Sequence, residues 1–394
     1  MFFNNRIRIL YDHQIFSEHS FGGVSRIFFE LLDSLSKDDE YSASLSLKFS
    51  NNIYLNNSDL SSQFKPYLKK LSDNGFFSFP SKIVNRLIIK PIIKIQKEKN
   101  KINSIKLLKK GEYDIFHPTY YDPYFLEHLN GKPFVLTVHD SIHELFPEYF
   151  YLSDEIAEWK SQLIKSASKI IAISENTKND LIKLYKLPKE KIEVVYLANS
   201  LKDDSNNKME ITNKLNLPGN YLLYIGNRVN YKNFIFFVES IIPILKQNKT
   251  LFLVCGGGPN FTYSEIELFK ENGIKSQILH YSVNDEILVA LYKNAIAFVY
   301  PSFYEGFGIP ILEAFKFGCP VLISNSSSLP EIAGDACITF NPKNKTSISE
   351  AVELILWDEN LRLELKHKGK EREKLFSWKR TIHETKQVYK SILS

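Results

Sequence analysis

The sequence predicts an α/β protein with parallel sheets in two domains, and three observations carry that expectation. Short apolar runs recur along the chain, each followed by residues at helical spacing. Repeated βα units of this kind build parallel sheets with right-handed crossovers. Two of the runs, ending at Tyr11 and Ile225, lead into glycines, Gly22-Gly23 and Gly226. Strand, glycine, helix is the plan of a turn whose backbone approaches a phosphate. Residues 198–218 lie between them and are polar, dominated by Asn, Lys and Asp, as an interdomain linker would be. At 394 residues the chain suffices for two or three domains and a large core.

In the first half, Arg6 to Tyr11 reads as a strand. The Gly22-Gly23 turn opens a helix with apolar positions at Ile27, Phe28, Leu31, Leu32 and Leu35. A glycine pair alone is more often a simple turn; its place after a first strand gives it weight. Ser42 to Phe49 reads as a second strand, followed by a polar loop. Residues 82–110 carry ten Lys or Arg and one acid, Glu98. Ile83, Leu87, Ile88, Ile92 and Ile95 fall near helical spacing there, broken by Pro91. Two readings fit this basic amphipathic stretch: a helix resting on anionic lipid, or one with a core face and a solvated basic face.

Tyr113 to Pro118 reads as a short strand and loop, followed by Tyr120, Tyr121, Tyr124 and Phe125. Aromatic faces stack on sugar C–H surfaces, and Tyr hydroxyls bond sugar hydroxyls; core packing explains them equally well. Phe134 to Val138 is a buried strand ending at His139-Asp140, and residues 168–174 form another, ending at Ser174. Such strand ends are where α/β sheets place ligand groups. A helix at Glu175 to Tyr185 and a strand at Ile192 to Tyr196 close the first domain.

The second half opens with Tyr221 to Gly226, and Arg228 and Lys232 follow. Cations just after a first strand suit a diphosphate, Arg by its fork and Lys as a point charge. Further strands are expected at 252–255, 277–281, 296–300, 320–323 and 337–340, with a helix starting at Asn284-Asp285-Glu286. The fourth unit continues as P-S-F-Y-E-G-F-G-I-P-I-L-E-A-F-K-F-G-C-P, residues 301–320. Gly306 and Gly308 let this loop approach a ligand, and Pro310 suits the first turn of a helix that Gly318 and Pro320 stop. Glu305 then sits on the loop, and Glu313, eight residues on, lies about one turn inside the helix. The helix N-terminus between them favours phosphate. Two carboxylates around an anion site suit a ligand with both hydroxyls and phosphates. Late helices are expected at 347–357 and 360–376, and a last one begins at Phe376-Ser377-Trp378.

Net charge is +5, too small for a chain built as a nucleic-acid-binding polycation. Three cysteines, Cys255, Cys319 and Cys337, suggest a reducing compartment without a disulfide framework. No Cys or His pairs stand at zinc spacing, so no metal site is expected. No signal peptide is evident, and no run of apolar residues is long enough to span a bilayer.

The run E-G-F-G-I-P-I-L-E-A closely resembles the E-x7-E signature of glycosyltransferase family 4, retaining enzymes of the GT-B fold. T-V-H-D, I-A-I-S-E-N-T-K-N-D-L and K-I-E-V-V-Y are similar to the first domain of the same family, bacterial O-antigen and polysaccharide mannosyltransferases above all. The resemblance implies two Rossmann-like domains facing a cleft: residues 1–197 for the acceptor, 198–375 for the nucleotide sugar, and 376–394 as a helix returning to the first domain. It implies hexose transfer from a nucleoside diphosphate sugar, GDP-mannose favoured, to a glycan hydroxyl, without metal or cofactor. The catalytic set would be His139, Glu305, Arg228 and Lys232. The donor would lie against Gly22, Gly23, Arg228, Lys232, Glu305, Gly306, Phe307, Gly308, Ile309 and Glu313, with Glu313 on the ribose. Tyr120, Tyr121 and Asp140 would face the acceptor. A lipid-linked acceptor would bring the chain to the cytoplasmic face of the membrane through residues 81–110. Two other classes remain: a non-catalytic subunit keeping this fold, and a dinucleotide-dependent oxidoreductase. The second lacks G-x-G-x-x-G after either domain's first strand.

Overall fold

The computed structural model describes residues 6–67, 89–150, 155–203 and 215–393. In the first half the strands are β1 (Ile7–Tyr11), β2 (Tyr41–Leu45), β3 (Ile115–His117), β4 (Val135–Val138), β5 (Lys169–Ala172) and β6 (Ile192–Val194). They lie in the order β2-β1-β3 and β4-β5-β6, every pairing parallel. A parallel bridge from Phe116 to Phe134 joins the two groups. β3 and β4 are buried along their whole length, which is why they read as apolar runs rather than alternating ones.

The second half holds β7 (Asn220–Ile225), β8 (Leu251–Gly256), β9 (Ile278–Tyr281), β10 (Ala297–Tyr300), β11 (Val321–Ser324) and β12 (Cys337–Phe340). Their order is β12-β11-β10-β7-β8-β9, again parallel throughout. This is the doubly wound arrangement, and its direction reverses between β7 and β10. The crevice beyond the carboxyl ends of those two strands is where such sheets bind ligands. Gly226 and the loop from Pro301 open into it.

The last helix, Trp378–Leu393, packs on the first half. Lys386 pairs with Asp38, and Lys390 reaches Glu40 at 3.0 Å. Inside, Tyr389 Oη lies 2.7 Å from Tyr11 Oη and 2.6 Å from His117 Nδ1, while His117 Nε2 lies 2.9 Å from Thr137 Oγ1. All four side chains are buried. Burial pushes His117 down to about 3, so its imidazole is neutral and serves as one donor and one acceptor. This chain of bonds ties the C-terminus beneath β1 and β3.

Three local expectations need correction. The second strand ends at Leu45 rather than Phe49. β1 ends at Tyr11, and beyond it the Lys48 and Phe49 N–H groups donate to Asn100 Oδ1 instead of a neighbouring strand. Pro91 does not break the basic helix but sits in its first turn, where a missing N–H costs nothing. That helix, Lys90–Lys110, buries Asn100, Ser104 and Leu108, while Ile95 and Ile102 are 55% and 63% exposed. Its inward face is thus largely polar. Ile83, Leu87 and Ile88 lie outside the described residues, as does much of the linker.

Replacing Tyr389 by Phe strands a hydrogen-bonding partner on both His117 and Tyr11. The expected loss is about 1–3 kcal/mol in denaturant-induced unfolding.

Candidate active site at the interdomain cleft

Lys232 and Glu305 meet at the crevice between β7 and β10, with Nζ and Oε1 2.6 Å apart. Lys232 ends a short turn after β7, and Asn233 follows with positive φ, its side chain donating to Pro301 O and Pro342 O. Glu305 is held by Ser327 Oγ, which accepts from its N–H at 2.9 Å. Burial works against the Lys232 ammonium, but Glu305 and Tyr231 outweigh it and raise the group above the ordinary lysine value.

Arg228 is engaged differently. Its Nε donates to Glu265 at 2.7 Å and its Nη2 to Pro259 O at 2.6 Å, and the guanidinium lies 4.7 Å from the Phe261 ring centre. Glu265 is also the third residue of a capping box with Thr262. The Arg228 Nη1 is buried and unpartnered. The charge expected on a diphosphate is therefore partly spent, and Lys232 stands nearer the carboxylate loop.

The loop then reaches Gly308, whose φ of 108° suits glycine, and the helix Ile309–Lys316 starts there with Pro310 in its first turn. Across the cleft stands the Gly22-Gly23 turn: a Cβ on Gly23 would meet Ile309 Cδ1 at 3.9 Å. Glu313 is buried on this helix, accepting from Tyr292 Oη at 2.9 Å. Burial pushes its carboxyl up to about 7, against the pull of that hydroxyl and of Arg26. Arg26 follows the glycine turn and pairs with Asp285 of the second half at 2.5 Å.

His139 closes the first half's side of the cleft. It is buried, its Nδ1 has no partner, and burial pushes it down to about 4, so it is neutral. Asp140, at the same strand end, accepts from Ile142 N at 3.1 Å. The structure brings His139 to the carboxylate loop directly, since Gly306 lies against its carbonyl.

Two of the expected site residues have their side chains engaged within the protein. Tyr121 is 4% exposed and its hydroxyl accepts from His139 N at 3.0 Å, so it braces the strand end. Tyr120 beside it is only partly buried. Phe307 is buried with its ring against Tyr196 and Phe376, where a large apolar side chain gains from leaving water. Sequence reasoning missed the Tyr292–Glu313 and Arg26–Asp285 contacts, which join residues far apart in the chain. It also missed Glu265, although T-x-x-E ahead of an apolar run signals a capping box. Among the described residues no group of three or more His, Cys, Asp or Glu could hold a metal ion.

Comparison with known proteins places this geometry in a family. Residues 95–198 match the family described as Glycosyltransferase Family 4, and residues 206–372 the one described as Glycosyl transferases group 1. An O-antigen chain mannosyltransferase B of Escherichia coli is 32% identical over 70% of this chain and 74% of its own. A glycosyltransferase from Rickettsia africae superposes with a TM-score of 0.70 at 17% identity, covering 99% of both chains. Anabaena HepE, solved with UDP and glucose, gives 0.70 at 13% identity over 98% of this chain and 100% of that one. With both halves matched and the doubly wound sheets facing one cleft, the chain belongs to glycosyltransferase family 4 and has the GT-B fold.

Proposed function

We propose that this chain moves mannose from GDP-mannose to a glycan hydroxyl, with retained configuration, in assembly of an O-antigen-like surface polysaccharide. The Lys232–Glu305 pair carries the reading. It sets a cation suited to a diphosphate against a carboxylate suited to sugar hydroxyls, as a nucleoside diphosphate sugar requires. The mannosyltransferase relative favours mannose, and with it the guanosine donor.

In this reading Lys232, the N–H groups at the start of the Ile309 helix and Arg228 Nη1 take up charge on the departing diphosphate. Glu313 accepts from the ribose hydroxyls and Glu305 from the hexose. Neutral His139 positions the sugar beside the bond that breaks. The leaving phosphate helps take the acceptor's proton on the same face. Fixed cations and helix N–H groups stand in for a metal.

The donor half supplies the nucleotide site, and the acceptor half its glycan. No helix among the described residues is long and apolar enough to cross a membrane. The exposed face of helix Lys90–Lys110 carries Ile95 and Ile102 among Lys94, Lys99, Lys106 and Lys109. That composition suits the surface of an anionic bilayer, where a lipid-linked acceptor would lie, at about 1 kcal/mol per cation. Lys97 and Lys101 instead pair with Glu18 and Asp122 of the protein body.

Purified protein is expected to transfer mannose from GDP-mannose in the presence of a chelator, giving a product with the donor's anomeric configuration. No transfer from a panel of nucleotide sugars would overturn the reading, and strict rescue by a divalent ion would overturn its metal-free form.

Glu313→Gln is expected to weaken binding of free guanosine diphosphate, and Glu305→Gln only that of the intact sugar nucleotide; calorimetry on both decides it. With a folded value about 7, Glu313 becomes a full carboxylate acceptor only as pH rises through neutrality. Wild-type affinity for the diphosphate should therefore increase from about pH 6 to about pH 8, relative to Glu313→Gln, in which the ligand's own titration remains.

Flotation with anionic vesicles at low salt should retain the wild type and lose the quadruple change of Lys94, Lys99, Lys106 and Lys109 to Glu. Equal behaviour of the two proteins would leave this helix as a solvated face.

A further inference from the structure

The loop bearing Glu305 is held from both halves of the molecule. Ser174, at the end of the β5 segment, donates from Oγ to Gly306 O at 2.7 Å and accepts from Thr177 N at 3.1 Å. One hydroxyl thus caps the helix Glu175–Tyr185 and grips the loop. Thr177 Oγ1 approaches the same carbonyl at 3.4 Å. Tyr304, next to Glu305, donates to Asp180 Oδ2 at 2.7 Å and accepts from Ser141 N at 3.1 Å.

A second contact runs the other way. Glu331, on the short helix after β11, accepts from Glu175 N at 2.7 Å through one oxygen and from Asn176 N at 3.0 Å through the other. Those are first-turn N–H groups of the Glu175 helix, left without intrahelical partners. A carboxylate there also meets the positive end of the helix dipole. The neighbouring residues Ser327 and Ser328 bond Glu305 N, Glu305 O and Phe307 O. Glu331 therefore docks the segment that cradles the loop, and Ser174 docks the loop itself, both onto one helix end of the first half.

We propose that Ser174 and Glu331 form an interdomain clasp that positions Glu305 for the donor sugar. The sugar's subsite is complete only when the two halves are shut, whereas the nucleotide's contacts, the Gly22-Gly23 turn apart, lie in the second half. Ser174 and Glu331 are positioning residues, acting through the loop and not on the substrate. The inference rests on the reading of Glu305 as the acceptor of sugar hydroxyls.

Its test is a double-mutant cycle with Glu331→Gln, Ser174→Ala, Ser174→Thr and Glu305→Gln, reading kcat and the Kd of guanosine diphosphate. Glu331→Gln keeps the shape of the side chain but presents an amide N–H to a backbone N–H. It is expected to lower kcat by about 10- to 100-fold, the cost of a small misplacement, with the diphosphate Kd unchanged. Ser174→Ala should do the same, and Ser174→Thr, which keeps the hydroxyl, should restore it. On a Glu305→Gln background, Glu331→Gln should add nothing further. Wild-type kcat in Glu331→Gln and Ser174→Ala, or full additivity with Glu305→Gln, overturns the clasp. Wild-type kcat in Glu305→Gln is a separate result, and it overturns the role given to Glu305.

Discussion

The closest constraint in this molecule is the contact between Gly306 and the carbonyl of His139. A Cβ at position 306 would lie 1.8 Å from that oxygen, so only glycine allows the approach. It seats the carboxylate loop of the second half against the strand end of the first, and it brings Glu305 and His139 to one site. Ser174, Tyr304 and Glu331 surround this contact with hydrogen bonds that cross between the halves. Further off, Arg26 spans to Asp285 and the last helix binds back onto β1 and β3 through Tyr389.

Charge in the cleft is arranged in pairs rather than as a bare cationic patch. Lys232 lies against Glu305, Arg228 against Glu265 and Arg26 against Asp285. Each of these half-buried cations is thereby compensated for the water it loses. Glu313 is the exception. Its nearest bonded partner is a neutral hydroxyl, so its carboxyl resists ionisation. A neutral His139 and a reluctant Glu313 make the site less charged than its residue list suggests. Hydrogen-bond direction then matters as much as net charge in orienting a polyhydroxylated ligand.

The basic helix shows how far periodicity can mislead. A core face was one of the two readings of its isoleucines, yet the side turned inward carries Asn100 and Ser104 beside Leu108. Asn100 Nδ2 lies 2.8–3.0 Å from Ser17 Oγ, Phe49 O and Tyr67 Oη, which between them engage both its hydrogens, and Oδ1 accepts from two backbone N–H groups. A saturated amide of this kind can be buried at little cost, and it organises irregular backbone that no strand would satisfy. Sequence periodicity counts apolar residues and is blind to such a hub.

From the sequence alone came the βα alternation, the two glycine turns, and the loop and helix that carry Glu305 and Glu313. All rest on interactions within a few residues: strand burial, caps, and the conformations that glycine and proline allow. The family resemblance added the cleft and pointed to Lys232 and His139 as residues beside it. Partnership across the chain was not legible. Nothing near Tyr121 or Phe307 says that the first bonds a backbone N–H and the second packs between the halves. Nor does anything near Glu331 say that it caps a helix 155 residues earlier. Those choices depend on which surfaces the two sheets present to each other, and only the packed tertiary structure decides that.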